Sequence, residues 1–121
     1  MNTVDATRTA HVYLNAWNAT DPVQREQALA RNWSTDARYV DPLMRGDSAA
    51  DIHALIGELQ AKFPGYRFQL LGTPDGHGEH VRLRWALGPD GQDAPIEGSD
   101  YIRLKDGRIH EVTGFLDRVP A

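Results

Sequence analysis

The chain contains no cysteine. That excludes disulfides, thiolate nucleophiles and thiolate-ligated zinc, and leaves stability to packing. It also lacks any run approaching the about 18 apolar residues a membrane-spanning helix needs, and Met1 to His11 carry no apolar stretch of a secretory signal. A cytoplasmic location is therefore the expectation. A basic excess is missing too. Thirteen Lys and Arg against seventeen Asp and Glu leave a formal charge of −4, and an acidic surface repels nucleic-acid backbones and anionic lipids alike. Neither nucleic acid nor membrane is an expected partner. No segment is of low complexity, and none reads as a linker or a sequence repeat.

What is present describes an ordinary globular chain: 121 residues, 40% hydrophobic and 25% charged, enough for one domain spanning 1–121. Thr9, Val12, Tyr13, Ala16 and Trp17 recur at helical spacing and predict a helix from about Val4 to Ala19. Asp21 before Pro22 is an N-cap followed by a first-turn proline, opening a second helix that runs to about Trp33. Alternation over Ala37 to Asp41 predicts a short strand ended by Pro42. A third helix, capped by Asp47 or Ser48, carries the stripe Ile52, Leu55, Ile56 and Leu59 and breaks at Pro64-Gly65.

The second half changes character. Asp75-Gly76, Asp90-Gly91 and Asp106-Gly107 are turn signals fifteen and sixteen residues apart. They predict a four-strand meander over Tyr66 to Thr73, Glu79 to Leu87, Ala94 to Leu104 and Arg108 to Asp117. Helices followed by a long twisted sheet must bury their apolar faces on each other, which gives a two-layer α+β domain. A strongly curved sheet of this length encloses a cavity.

Strand parity singles out one acid. If Asp100 points inward, so do Ile96, Gly98, Ile102 and Leu104, while Tyr101 and Arg103 point out. The same rule sends Val81, Leu83, Trp85 and Leu87 inward and Arg82 and Arg84 outward. An inward acid among apolar neighbours needs a partner or a raised pKa. Taken alone, Asp41 before Pro42 reads as a strand-exit turn and Tyr13 as a core tyrosine. Trp33 reads as core packing, with Trp17 and Trp85 available to a ligand. His77 and His80 flank a turn without a third ligand nearby in sequence, so no metal and no cofactor are expected. His110 shares the inward parity of Val112, but Ile109 breaks the pattern and a bulge there would reverse it.

The order of these elements carries further markers. They are Tyr39-Val40-Asp41-Pro42 within the stretch from Trp33, Gly46 ahead of the third helix, Gly98-Ser99-Asp100 running through Arg103 to Asp106-Gly107-Arg108-Ile109, and the closing Gly114-Phe115-Leu116-Asp117. Together they resemble the nuclear-transport-factor-2-like superfamily, in particular its SnoaL-like and ketosteroid-isomerase-like branches. The resemblance implies a cone-shaped α+β fold, three N-terminal helices packed on a strongly curved, mainly antiparallel sheet that encloses an apolar pocket. It also implies roles: Asp41 as general base, with Tyr13 and a protonated Asp100 as donors to the oxyanion. Enolising a carbonyl needs a base at the α-carbon and donors where negative charge develops, and an apolar pocket keeps one carboxyl neutral.

The expected pocket wall is Trp17, Tyr39, Leu55, Val81, Leu83, Trp85, Gly98, Ile102, Val112 and Leu116. The expected function is proton transfer next to a carbonyl of a small hydrophobic molecule, by an isomerase or a polyketide-cyclase-like enzyme. Two alternatives stand beside it. One is a non-catalytic ligand-binding or protein-interaction module. The other resembles limonene epoxide hydrolase, with Asp100 and Asp117 as acids, although Gly98 stands where that pattern has arginine. The stretches from Asp21 to Asp41 and from Pro42 to Ile52 are longer than in typical isomerases, so substrate identity does not carry over. The resemblance further implies a homodimer through the outer sheet face, where Tyr101 and Phe115 would suit an interface.

Overall fold

The computed structural model describes residues 5–120. Its elements run α1 (Ala6–Asn18), α2 (Pro22–Asn32), β1 (Trp33–Val40), β2 (Arg45–Gly46), α3 (Ala49–Lys62), β3 (Tyr66–His77), β4 (His80–Pro89), β5 (Ile96–Lys105) and β6 (Arg108–Arg118). The expected start of the first helix at Val4 lies outside the described residues. The side chain of Asp5 caps α1 by accepting the Arg8 N–H at 3.0 Å. Asp21 caps α2 ahead of Pro22, as its sequence requires. Of the two candidate caps for α3, Ser48 serves, accepting the Asp51 N–H at 3.0 Å. Asp47 instead donates its own N–H to the Asp51 carboxylate, which favours the positive end of the helix.

The six strands form one curved, open sheet in the order β2-β1-β6-β5-β4-β3. Only the β1–β6 pair is parallel. The fold is the expected α+β arrangement of three helices on a mainly antiparallel sheet. β1 begins at Trp33 rather than Ala37 because Trp33 pairs with Ile109 of β6, a contact no local pattern announces. The two-residue β2, which pairs with Tyr39 and Val40, was likewise absent from the sequence reading.

Two of the three Asp-Gly signals sit at chain reversals. Asp106 and Gly107 have φ of 53° and 79° and close the pair Lys105–Arg108, the left-handed conformation a two-residue hairpin demands at both positions. Asp90-Gly91 opens the loop into β5. The third expectation is corrected: Asp75-Gly76 lies within β3, and the reversal falls at Gly78-Glu79 between the paired His77 and His80. A register shift between Leu71 and Asp75 displaces the turn, and Asp75 is held instead by a two-point bond with Arg82 at 2.7 and 3.1 Å.

The core lies between the helices and the concave side of the sheet, with Tyr13, Trp33, Ile52, Ile56, Ile102, Ile109 and Val112 wholly buried. A register shift between Arg103 and Leu104 opposite β6 gives Ile109 the inward place. It moves His110 to the side of β1, where Nδ1 lies 2.7 Å from Ser34 Oγ. Replacing Gly107 with alanine should cost about 1–2 kcal/mol, the penalty for a Cβ in left-handed backbone. The midpoint of urea unfolding would fall with its slope unchanged.

Candidate active site

Where the concave face meets the end of β1, the packing leaves a cavity of about 110 Å³. Cross-strand rows explain its position. Trp85, Gly98 and Leu116 stand side by side on β4, β5 and β6, and Leu87 and Ile96 form the next row. Trp85, Leu87, Ile96 and Leu116 line the cavity from the sheet, Leu14 and Trp17 from α1, and Leu59 and Phe63 from the end of α3 and its cap. A belt of rings, Tyr39, Trp17, Phe68 and Trp85, follows the wall with successive centroids 5.2, 5.7 and 5.0 Å apart. Gly98 makes room for this belt, since a Cβ there would fall 2.2 Å from the Trp85 ring.

One end of this apolar space is polar. Tyr13, on the inner face of α1, donates its hydroxyl to Asp100 Oδ2 at 2.6 Å, and Tyr39 donates to Asp41 Oδ2 at the same distance. All four side chains line the cavity. The two pairs meet over Gly114, where a Cβ would come 2.7 Å from Asp100 Oδ1, 3.2 Å from Asp41 Cβ and 3.4 Å from the Tyr39 hydroxyl. Glycine at this position is thus what lets the two carboxyls share one chamber.

Asp41 belongs to the turn and to the cavity at once. Its Oδ1 accepts the N–H groups of Leu43 and Met44 at 2.7 and 2.8 Å, while Oδ2 accepts the Tyr39 hydroxyl. A carboxylate offers about four lone-pair sites, so one acceptor site remains, on Oδ2. Asp100 is more secluded. It is 3% exposed and its Oδ1 has no partner. Burial pushes its pKa up to about 6, against a partial counter-effect from the Tyr13 hydrogen bond and a small upward contribution from the Asp41 charge. Burial, more than the neighbouring Asp100, raises the Tyr13 phenol well above its ordinary range, and Tyr39 rises chiefly for the same reason.

The indoles add two more polar atoms. The Trp85 N–H lies beside the Asp100 carboxyl and that of Trp17 beside the Tyr13 hydroxyl, each near enough to offset part of the upward shift. Neither completes a hydrogen bond. Leaving a buried donor or acceptor unmatched costs about 1–3 kcal/mol, a cost reduced here because each of these indole N–H groups lies beside a carboxyl or hydroxyl oxygen.

Several expected wall residues stand elsewhere. Val81, Ile102 and Val112 form one cross-strand row packed solid in the core, nearer the β3–β4 turn. Leu83 is buried opposite Asp100 without reaching the cavity. Gly98 is covered by the Trp85 ring, and Leu55 packs against Gly46. Parity told which side chains face inward but not at which height the core is hollow. Trp17, Tyr39, Trp85 and Leu116 do line it, and Trp33 stacks on Tyr13 behind it at 5.7 Å. Asp117 is exposed on the outer face, where it accepts the Ser99 hydroxyl at 2.6 Å, and does not share the cavity with Asp100. Sequence reasoning missed the Tyr39–Asp41 bond, although residues two apart share a face of a strand.

The description SnoaL-like domain matches residues 10–112. A proposed isomerase of the SnoaL-like family from Agrobacterium tumefaciens str. C58 is 44% identical over 93% of this chain and 97% of its own, with a TM-score of 0.89. A proposed ketosteroid isomerase from Kribbella flavida is 18% identical over 98% and 82% of the two chains, with a TM-score of 0.72. A proposed SnoaL-like polyketide cyclase from Jannaschia sp. CCS1 is 14% identical over 97% and 91%, also with a TM-score of 0.72. The last two share the fold. Among curated proteins none matches.

The raised Asp100 pKa fixes a sign for stability. Native Asp100 binds a proton more tightly than the unfolded side chain, whose ordinary value is 3.8 against about 6 here. Its contribution is therefore fully present below pH 4 and is lost as pH rises toward 6, by about 3 kcal/mol in all. Asp100→Asn cannot titrate, so its stability relative to the parent should improve between pH 4 and pH 7 and stay level above. Urea unfolding across that range measures it, and a constant difference would refute the assignment.

Proposed function

The chain belongs to the family of SnoaL-like domains, and on that footing we propose that it is an enzyme moving a proton next to a carbonyl group of a small apolar molecule, as an isomerase or a cyclase. The observation that carries this reading is the meeting of two tyrosine-bound carboxyls at one end of an otherwise apolar cavity. Asp41 Oδ2, with its one open acceptor site, takes the proton from the α-carbon, and the electron pair moves onto the carbonyl oxygen. Asp100 in its protonated form donates to that oxygen through Oδ1, while Tyr13 holds Oδ2. A bound apolar ligand expels remaining water and raises the Asp100 pKa further in the direction that burial already drives it. In an isomerase the proton returns to another carbon of the same enolate. In a cyclase the enolate carbon attacks a second carbonyl.

Asn at position 41 can still accept the Leu43 and Met44 N–H groups, so it spares the turn while removing the base. Asp41→Asn should lower turnover of an enolisable ketone about 100- to 10,000-fold with little change in melting temperature. Unaltered turnover would remove Asp41 as the base and leave it a turn residue, whereas a parent chain that turns over no enolisable ketone would belong with the ligand-binding modules.

The same reading includes a cytoplasmic homodimer. Among the described residues no helix is long and apolar enough to cross a membrane. On the outer sheet face Tyr101 and Phe115 are 48% and 51% exposed, and their rings meet edge to face at 5.8 Å. Such an exposed aromatic pair supports association of two sheets. Light scattering should give twice the mass of one chain, and the double change Tyr101→Glu with Phe115→Glu should halve it. A parent chain already monomeric at high concentration would rule the dimer out.

A further inference from the structure

Asp41 makes more hydrogen bonds than its turn requires. Three bonds close the turn: the Asp41 N–H donates to the Met44 carbonyl at 3.0 Å, and Oδ1 accepts the Leu43 and Met44 N–H groups at 2.7 and 2.8 Å. None of the three uses Oδ2. That oxygen carries a fourth bond, from the Tyr39 hydroxyl at 2.6 Å. The two side chains are two residues apart on one face where β1 ends, and both line the cavity.

Tyr39 is a fixed donor. It is 4% exposed, its main chain pairs with Gly46 on one side and Val112 on the other, and its ring packs on Trp17 at 5.2 Å. Burial raises its phenol well above the ordinary range, so at neutral pH the group is an O–H and only donates to a carboxylate. The last torsion of an aspartate is otherwise soft. The bonds on Oδ1 hold one end of the carboxylate, and the Tyr39 bond holds the other. From the neighbouring elements Asp41 meets Asp100 of β5 across Gly114 and, bonded to Asp100, Tyr13 of α1.

We propose that Tyr39 is the positioning residue of the base: its hydroxyl fixes Asp41 Oδ2 and leaves that oxygen one acceptor site, directed at the α-carbon, while making the carboxylate a weaker base. The proposal rests on the reading of Asp41 as the base. Its two consequences oppose each other. A donor on a carboxylate favours the charged form and loosens its hold on a proton, whereas misplacing a reacting group by about 1 Å can cost about 100-fold in rate. Orientation is the larger effect. Removing the hydroxyl therefore slows proton transfer even though it strengthens the base.

Acetone is small enough for a cavity of about 110 Å³, and the exchange of its protons in deuterated water, followed by NMR, reads proton transfer alone. Its kcat/KM should show an acid limb set by the base and a basic limb set by Asp100. Tyr39→Phe, which keeps the ring, should lower the maximum about tenfold and move the acid limb up by about one pH unit. Fluorotyrosine in place of Tyr39, a stronger donor of nearly the same shape, should move that limb down. Tyr13→Phe should leave the acid limb where it is and move the basic limb up, since the Tyr13 bond holds Asp100 below the value burial alone would give. An acid limb unmoved by either change at Tyr39, or moved as far by Tyr13→Phe, would overturn the role of Tyr39 and leave the base standing. Exchange in the parent no faster than in buffer, or undiminished in Asp41→Asn, would overturn the base and this proposal with it.

Discussion

The hydrogen bond from Tyr13 to Asp100 joins the first helix to the middle of the sheet at a place almost closed to solvent, and much of the remaining structure accommodates it. A carboxyl that is nearly inaccessible must be neutral, or be charged and well bonded. Tyr13 matches one oxygen and leaves the other bare. The site consequently sits between protonation states near neutral pH, unlike the exposed carboxyls of Asp75 and Glu111, which pair with arginines and are shifted down. That contrast arises from burial and not from residue type, since desolvation is the largest influence on Asp100 and the arginine hydrogen bond the largest on the other two.

Around that bond the cavity is kept open by what is missing as much as by what is there. Gly98 gives its side-chain space to the Trp85 ring, and Gly114 gives its space to both carboxyls. Elsewhere along the same strands, the row of Val81, Ile102 and Val112 fills the concave face completely. The concave face thus has a solid half and a hollow half, and the difference lies in which residues are small and where the large rings lean. Core packing tolerates few voids, and this one lies where the two tyrosine–aspartate pairs meet.

The helices, the last hairpin and the inward placing of Asp100 could be read from short-range rules. Asp21-Pro22 and Ser48 are local caps, and Asp106-Gly107 is a local turn. The two-residue period of a strand by itself puts Asp100 among apolar neighbours. The β3–β4 turn was displaced because the chain slips register between Leu71 and Asp75, which depends on the partner strand. The wall of the cavity differs for a related reason, four of the ten expected residues lining it. Period-two alternation names a face of a strand, and nothing in it says how far a tryptophan three strands away will reach.

By itself, the sequence determined the class of fold, the absence of thiol chemistry, the acidic balance of charge and the inward placing of Asp100, because each follows from composition, from periodicity or from neighbours a few residues apart, whereas Tyr13 and Asp41 came forward only through the family resemblance. Tertiary structure alone decided that Tyr13 binds Asp100, that Gly114 lets two carboxyls converge, and where along the sheet the core is hollow. These facts depend on distances between residues far apart in the chain, and those distances are set by the collective curvature and packing of the sheet, which no local pattern encodes.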